Sequence, residues 1–292
     1  MDWQSRRISA ILENALLEDK ATSDATSRAC IDPQQRATAT ILAKQECVLA
    51  GVGAILRILE IYERLDQHVI GHPEVRSHGE VFDGVRLHKG QSVAVIRHNA
   101  RVLLSCERVI LNVLQRLSGI ATLTRKFVDA VQGTNVRILD TRKTVPGLRI
   151  LDKYAVRCGG GHNHRLDLSD GVLIKNNHIA LAGGVAAALQ KALQNRRGEQ
   201  PVEIEVRTLA ELEEALANGA EALLLDNMKP EDARVAVARV RAHPRRIPLE
   251  ISGGVRLENV RAYAEAGADY ISAGVLTHSP QAVDMSMRIV SA

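Results

Sequence analysis

The sequence predicts an α/β protein in two parts: a small α+β unit, then a closed or nearly closed barrel of parallel strands and helices. Three observations point there. From Val136 onward, short apolar strands and helices alternate, the pattern of parallel strands with helical crossovers. Residues 40–100 instead hold short apolar runs separated by Gly, Asp and His. A chain of 292 residues has room for one large barrel, or for a smaller domain beside a barrel-like one.

The first element is a surface helix, because Ile8, Ile11, Leu12, Ala15 and Leu16 form a helical stripe. Residues 48–53, 81–82 and 93–96 are expected as strands of the small unit. A long helix is expected from near Glu107 to about Val131, since Ile110, Leu114, Leu117 and Ala121 are spaced i, i+4, i+7, i+11. The domain boundary is placed close to its start. Strands follow at 136–139, 172–174 and 202–206, with an Ala/Leu-rich helix from about Ile179. Thr208 and Glu211 form a capping box that opens a helix carrying Leu209, Leu212 and Leu216, and Gly219 closes it. Further strands run over 222–225, 249–251 and 270–271, and residues 217–222 and 264–269 echo each other at helix-to-strand junctions.

Composition excludes several classes. Apolar content of 46% is ordinary, and aromatics are only 2%, so the core is built from Leu, Val, Ile and Ala. So few rings argue against stacking single-stranded nucleic acid. Cys30, Cys47, Cys106 and Cys158 form no CxxC pair and read as reduced thiols of a cytosolic protein. Glu13, Glu18 and Asp19 break any apolar leader, and no window is long and apolar enough for a membrane span.

The charge is localised. Of 38 Lys and Arg, eight lie in residues 137–175, against four of the 34 acids, which leaves 30 of each elsewhere. The whole surplus of +4 therefore sits in one Gly-containing stretch, which suggests a pocket for a multiply anionic small molecule. Barrel sites lie at the C-terminal ends of strands. Those ends carry Asp140-Thr141-Arg142-Lys143, Lys175, Glu205, Asp226, Ser252-Gly253-Gly254 and Ser272-Ala273-Gly274. The early ends are cationic, the middle ones acidic, and the late ones small. Two successive Gly-rich turns favour a phosphate cradle over ordinary tight turns. Glu205 and Asp226 end apolar runs, so each needs a partner: sugar hydroxyls, Mg²⁺, or a structural salt bridge with Lys or Arg. His162 and His164 alternate as strand residues facing one side would, yet no third metal ligand stands at a fixed offset. Gly159-Gly160-Gly161 before them suggests backbone passing close to a ligand. Lys143 or Lys175 could form a Schiff base, although so many converging cations fit anion binding better.

Several motifs, jointly and in order, resemble the quinolinate phosphoribosyltransferase family over nearly the whole chain. They are Glu107-Arg108 with Leu111-Asn112, residues 118–122 (SGIAT), DTRKTVPGLR at 140–149 and KYAVRCGGGHNHR at 153–165. VLIKNNHI at 172–179, Glu203-Ile204-Glu205-Val206, Leu225-Asp226-Asn227-Met228 and Ile251-Ser252-Gly253-Gly254 complete the set. The resemblance implies an N-terminal α/β sandwich domain (1–112) and a C-terminal open, partly closed α/β barrel domain (113–292), working as a cytoplasmic homodimer. It implies joining of quinolinate to phosphoribosyl pyrophosphate with Mg²⁺, giving nicotinate mononucleotide, CO₂ and pyrophosphate in NAD biosynthesis. No organic cofactor, nucleic acid or membrane is implied.

By the same resemblance, Arg108, Arg142, His164 and Arg165 bind the substrate carboxylates, and Thr141 is a further substrate-binding residue. Lys143 and Lys175 lie by quinolinate and the pyrophosphate. Glu205 and Asp226 hold ribose hydroxyls and Mg²⁺, and turns 252–254 and 272–274 cradle the 5′-phosphate. Lys44 stands where the family often has an Arg reaching into the neighbouring subunit's site; it keeps the charge without the bidentate fork. The family's Gly-Asp-x-Thr is Ser23-Asp24-Ala25-Thr26 here, outside the pocket. Three other readings compete: a related transferase with another acceptor such as nicotinate, a lysine-dependent aldolase or synthase, and a non-catalytic binder of a phosphorylated metabolite.

Overall fold

A computed structural model describes residues 1–66 and 72–292. In chain order the elements are α1 (Arg6–Glu18), α2 (Ala25–Cys30), β1 (Arg36–Ala43), β2 (Cys47–Val48), α3 (Val52–Leu65), β3 (Glu74–Arg76), β4 (Arg86–Leu87) and β5 (Ser92–Asn99). Next come α4 (Ala100–Ala130), β6 (Arg137–Leu139), α5 (Arg149–Cys158), β7 (Val172–Ile174), α6 (Asn176–Ala182) and α7 (Val185–Asn195). The chain ends with β8 (Val202–Val206), α8 (Leu209–Ala217), β9 (Ala222–Asp226), α9 (Pro230–Ala242), β10 (Leu249–Ser252), α10 (Val260–Ala264), β11 (Tyr270–Ser272), α11 (Val275–His278) and β12 (Met285–Ser291).

These form two compact units, neither of them continuous in sequence. The first comprises Met1–Arg125, Val145–Gly160 and Ser279–Ala292. Its antiparallel sheet has the order β12-β1-β5-β3. β1 alternates buried Ala37, Ala39, Ile41 and Ala43 with outward residues, the period-2 pattern of a half-buried strand. α3 buries Ile55, Ile58, Leu59 and Tyr62. The 48–53 run, expected as a strand, is a strand only over β2, because Gly51 at φ +104° turns the chain into α3. Residues 81–82, expected as a strand, instead join two turns: the Val81 N–H bonds the His78 carbonyl (2.8 Å) and the Val85 N–H that of Phe82 (3.1 Å). Asp24 caps α2, accepting from the N–H groups of Thr26 and Ser27 (3.0 and 3.1 Å).

The long α4 buries Ile110, Leu114, Leu117 and Ala121, the residues of the predicted stripe. At Gly119 an added Cβ would lie 2.2 Å from the Gln281 carbonyl oxygen, so only glycine admits this approach. The Val283 N–H bonds the Gln115 carbonyl (3.1 Å) and Gln115 Nε2 bonds that of Met285 (3.0 Å), fastening the approach to β12 onto α4. The three glycines before His162 also have a packing role in part. A Cβ on Gly159 would sit 2.5 Å from both the Ala121 carbonyl oxygen and Thr124 Cβ, so the close approach there is to α4, not to a ligand.

The second unit comprises Lys126–Thr144 and Gly161–His278. Its six strands are parallel in the order β6-β11-β10-β9-β8-β7, the open α/β barrel architecture. One isolated parallel bridge, Leu139 to His162, extends the β6 edge. Alternation sorts the strand residues. Ile204, Val206, Leu223, Leu225, Leu249, Ile251 and Ile271 are fully buried. The register places Glu205, Leu224, Glu250, Tyr270 and Arg137 in one row on the opposite face. That face is the polar one. Thr208 accepts the Glu211 N–H as predicted (3.1 Å), while the Glu211 carboxylate reaches one residue further back, to the Arg207 N–H (2.6 Å).

Candidate active site

The cationic turn after β6 is tied down at both ends. Thr141 Oγ1 accepts the Lys143 N–H (3.1 Å), and Thr277 Oγ1 donates to the Lys143 carbonyl (2.9 Å). The Lys143 side chain lies over the turn after β11: a Cβ on Gly274 would be 2.9 Å from Lys143 Cδ. Arg142 has its Nε buried with no hydrogen-bond partner among the described residues. A buried unpaired guanidinium N–H is expensive, and an arriving anion would satisfy it. Arg165 shares this neighbourhood; burial first, and then the Arg142 charge, hold its pKa below the usual arginine value. Its Nη1 donates to the Gly171 carbonyl (3.0 Å). Two guanidinium groups that repel each other make a dianion a favourable guest.

Further along the strand ends the charge reverses. Glu205 is nearly buried, with Lys175 Nζ 4.0 Å from Oε2 and Arg207 Nη2 3.8 Å from Oε1. Arg207 Nε also lies 3.2 Å from Asp226 Oδ2. Burial, and then the Asp226 charge, raise the Glu205 pKa. The salt-bridge alternative for these two acids is thus present, supplied by Arg207. Two carboxylates at adjacent strand ends also form the hard oxygen set that suits Mg²⁺, so the residues fit that ion.

The late strand ends are small and closely packed. Ser272 Oγ donates to Ser252 Oγ (2.7 Å), and the Ala273 N–H reaches the Leu139 carbonyl (3.0 Å). Gly253 has φ +87°, and a Cβ there would stand 2.7 Å from the backbone N of Asn227, itself at φ +59°. Gly254 also has positive φ (+63°). Glycine is therefore required at 253, and turns without side chains that let a ligand approach the backbone suit a phosphate. Gly253→Ala should cost roughly 1–3 kcal/mol of stability from strain and clash, seen as a lower denaturant midpoint.

His164 lies deeper. Its backbone N–H donates to Asp140 Oδ1 (2.9 Å), and Asp140, fully buried, also receives Asn163 Nδ2. His164 Nε2 is 3.3 Å from Glu250 Oε2 and 3.5 Å from Glu203 Oε2. Burial lowers the His164 pKa, but the bonds and charges of Glu203 and Glu250 reverse this and push it up to about 10. The Arg165 N–H aimed at Nδ1 (2.8 Å) opposes that, since an imidazolium has no lone pair there. Burial raises the Glu250 pKa, so the cluster retains its extra proton on carboxyl and imidazole together. The three residues have metal-like proximity. Yet the Arg165 N–H calls for the tautomer with its proton on Nε2, whereas an Nε2-ligated histidine carries it on Nδ1. His162 also borders the cavity beside this cluster, but it is exposed and makes only a single parallel bridge to Leu139 at the β6 edge.

The cluster borders a cavity of about 560 Å³ that reaches the strand starts at Pro201, Ala222 and Pro248. Sequence reasoning missed Glu203, Glu250 and Arg207. The available signal was spacing, since Glu203 and Glu250 stand two residues before Glu205 and Ser252 and so share their face. Arg108 on α4 and Lys44 after β1 belong to the first unit, and both are exposed.

Comparison with known proteins agrees with this geometry. Residues 24–118 match the quinolinate phosphoribosyl transferase N-terminal domain, and residues 120–288 match the C-terminal domain. The chain is 43% identical over 285 residues to a probable nicotinate-nucleotide pyrophosphorylase [carboxylating] of Bacillus subtilis, covering 97% of this chain and 93% of that one. It is 42% identical to the Mycobacterium leprae nicotinate-nucleotide pyrophosphorylase [carboxylating], covering 94% and 95%. The crystal structure of nicotinate-nucleotide pyrophosphorylase from Ehrlichia chaffeensis superposes with a TM-score of 0.88 at 38% identity, covering 97% and 98%. Matched in both halves and along nearly its full length, this chain belongs to the quinolinate phosphoribosyltransferase family.

Proposed function

We infer that the chain is a carboxylating quinolinate phosphoribosyltransferase, a pentosyltransferase of NAD biosynthesis. Quinolinate and 5-phosphoribosyl 1-pyrophosphate become nicotinate mononucleotide, CO₂ and pyrophosphate. The observation that carries the site assignment is Arg142, whose buried Nε has no partner among the described residues and whose charge adjoins Arg165. A pyridine with two adjacent carboxylates answers that demand better than one with a single carboxylate.

The reaction follows from charge placement. The bond from ribose C1 to pyrophosphate breaks, and C1 becomes oxocarbenium-like beside Glu205 and Asp226, whose charge tolerates it. The pyridine nitrogen attacks C1. The resulting pyridinium accepts the electrons released as the 2-carboxylate leaves as CO₂, and C2 then takes up a proton. No covalent enzyme intermediate is needed, so positioning and electrostatics carry the catalysis. Lys143, lying over Gly274, serves the phosphate end; Lys175, beside Glu205, serves the ribose and pyrophosphate. Thr141, Arg142 and Arg165 take the carboxylates, with Arg108, while His164 fixes the Arg165 loop. Glu205 and Asp226 would hold Mg²⁺, which supplies positive charge to the departing pyrophosphate. We also propose the homodimer with Lys44 reaching the neighbouring site, and a cytoplasmic location, with which the four free thiols accord.

Release of labelled CO₂ from quinolinate carrying the label in its 2-carboxylate tests the reading. Release that requires both phosphoribosyl pyrophosphate and Mg²⁺ is expected. No release from folded protein would overturn it and direct attention to nicotinate and related acids.

A further inference from the structure

Arg207 has no part in the reaction as written above, yet it is the residue that joins the two acids. It follows β8 directly, and the Glu211 carboxylate holds its backbone N–H (2.6 Å). From there its guanidinium crosses to the next strand, with Nε 3.2 Å from Asp226 Oδ2 and Nη2 3.8 Å from Glu205 Oε1. Lys175 approaches the other Glu205 oxygen (4.0 Å). The carboxylates of Glu205 and Asp226 thus already face two cations, Arg207 and Lys175. A divalent cation entering this place is repelled by both cations and needs the carboxylate oxygens that Arg207 engages. Arg207 is half exposed, with its side chain 47% accessible, so it can swing into water at small cost.

We propose that Arg207 is a resident counter-ion of the acid pair: it occupies the place of the divalent cation in the substrate-free protein and yields it when that cation arrives with the phosphorylated substrate. The inference rests on the reading of Glu205 and Asp226 as a cation site. Arg207 lowers the affinity for free metal, so that metal binds mainly together with phosphoribosyl pyrophosphate, whose phosphates supply the remaining ligands. Arg207 is therefore a positioning residue, acting through the acids and not on the substrate.

The test is Mn²⁺ binding followed by electron paramagnetic resonance, with and without phosphoribosyl pyrophosphate, in the wild-type chain, Arg207→Gln and Arg207→Lys. Arg207→Gln should bind Mn²⁺ alone about three- to tenfold more tightly, as expected for losing two partly exposed ion pairs. Arg207→Lys, which keeps the charge, should stay near wild type. With substrate present the difference should shrink, and the Mg²⁺ concentration for half-maximal rate should fall in Arg207→Gln. Asp226→Asn should abolish tight Mn²⁺ binding in both backgrounds. Wild-type binding that Arg207→Gln leaves unchanged or weakens overturns the inference alone. No Mn²⁺ bound by any variant, with or without substrate, overturns the acid-pair reading as well.

Discussion

Arg142→Ala should lower kcat/KM for quinolinate by about 10²–10³, with KM raised, kcat lowered and the fold retained. The magnitude is that of removing one charge-assisted, geometrically specific partner from a desolvated site. Among the described residues nothing pairs with Arg142 Nε, so the substitution removes a binding group and breaks no hydrogen bond of that atom among them. Stability should therefore change little. Burial, and after it the Arg142 charge, lowers the Arg165 pKa; in Arg142→Ala that repulsion is gone and Arg165 remains as the single anchor. Calorimetry with quinolinate is the direct check. Binding unchanged in Arg142→Ala would remove this residue from the acceptor site, whatever the rate did.

The largest stability effect is expected at a pair outside the reaction. Asp152 on α5 is fully buried and accepts two bonds from Arg116 on α4, at 2.9 and 2.8 Å, and one from the Val145 N–H at 3.3 Å. Arg116→Ala should cost about 3–5 kcal/mol, because it strands a carboxylate with no access to water. Asp152→Ala should fall at the lower end of that range, since Arg116 is 26% exposed and can be partly rehydrated. Replacing both by apolar residues, Arg116→Met with Asp152→Leu, should recover much of the loss. Urea unfolding of the four proteins measures this. A double variant as unstable as Arg116→Ala would show that the pair contributes more than its own neutralisation.

Much of the barrel was legible because its signals are local. Residues 172–174, 202–206, 222–225 and 249–251 are short apolar runs between helices, and each is a strand. Their polar termini then marked the candidate site through the rule that barrel chemistry sits at strand ends. Thr208 and Gly219 likewise bounded α8 from side-chain chemistry alone. β1 was not legible, because Ala and Thr alternating in residues 37–40 give little apolar contrast. β12 was not legible because its partner is β1, more than two hundred residues earlier, and only long-range pairing makes it a strand.

The sequence by itself determined which chemistry is available: localised cations, two acids in apolar runs, two glycine turns, and the motifs that carry the family resemblance. Local propensity and side-chain type suffice for that. Tertiary structure decided the pairings. The β8–β9 register sets Arg207 beside Asp226, and the β9–β10 and β10–β11 registers bring Glu250 under His164 with Glu203. A glutamate in a strand reads the same whether it holds substrate or neutralises a histidine. Which it does depends on the residue opposite, and strand register is set by hydrogen bonds and packing between segments far apart in the chain.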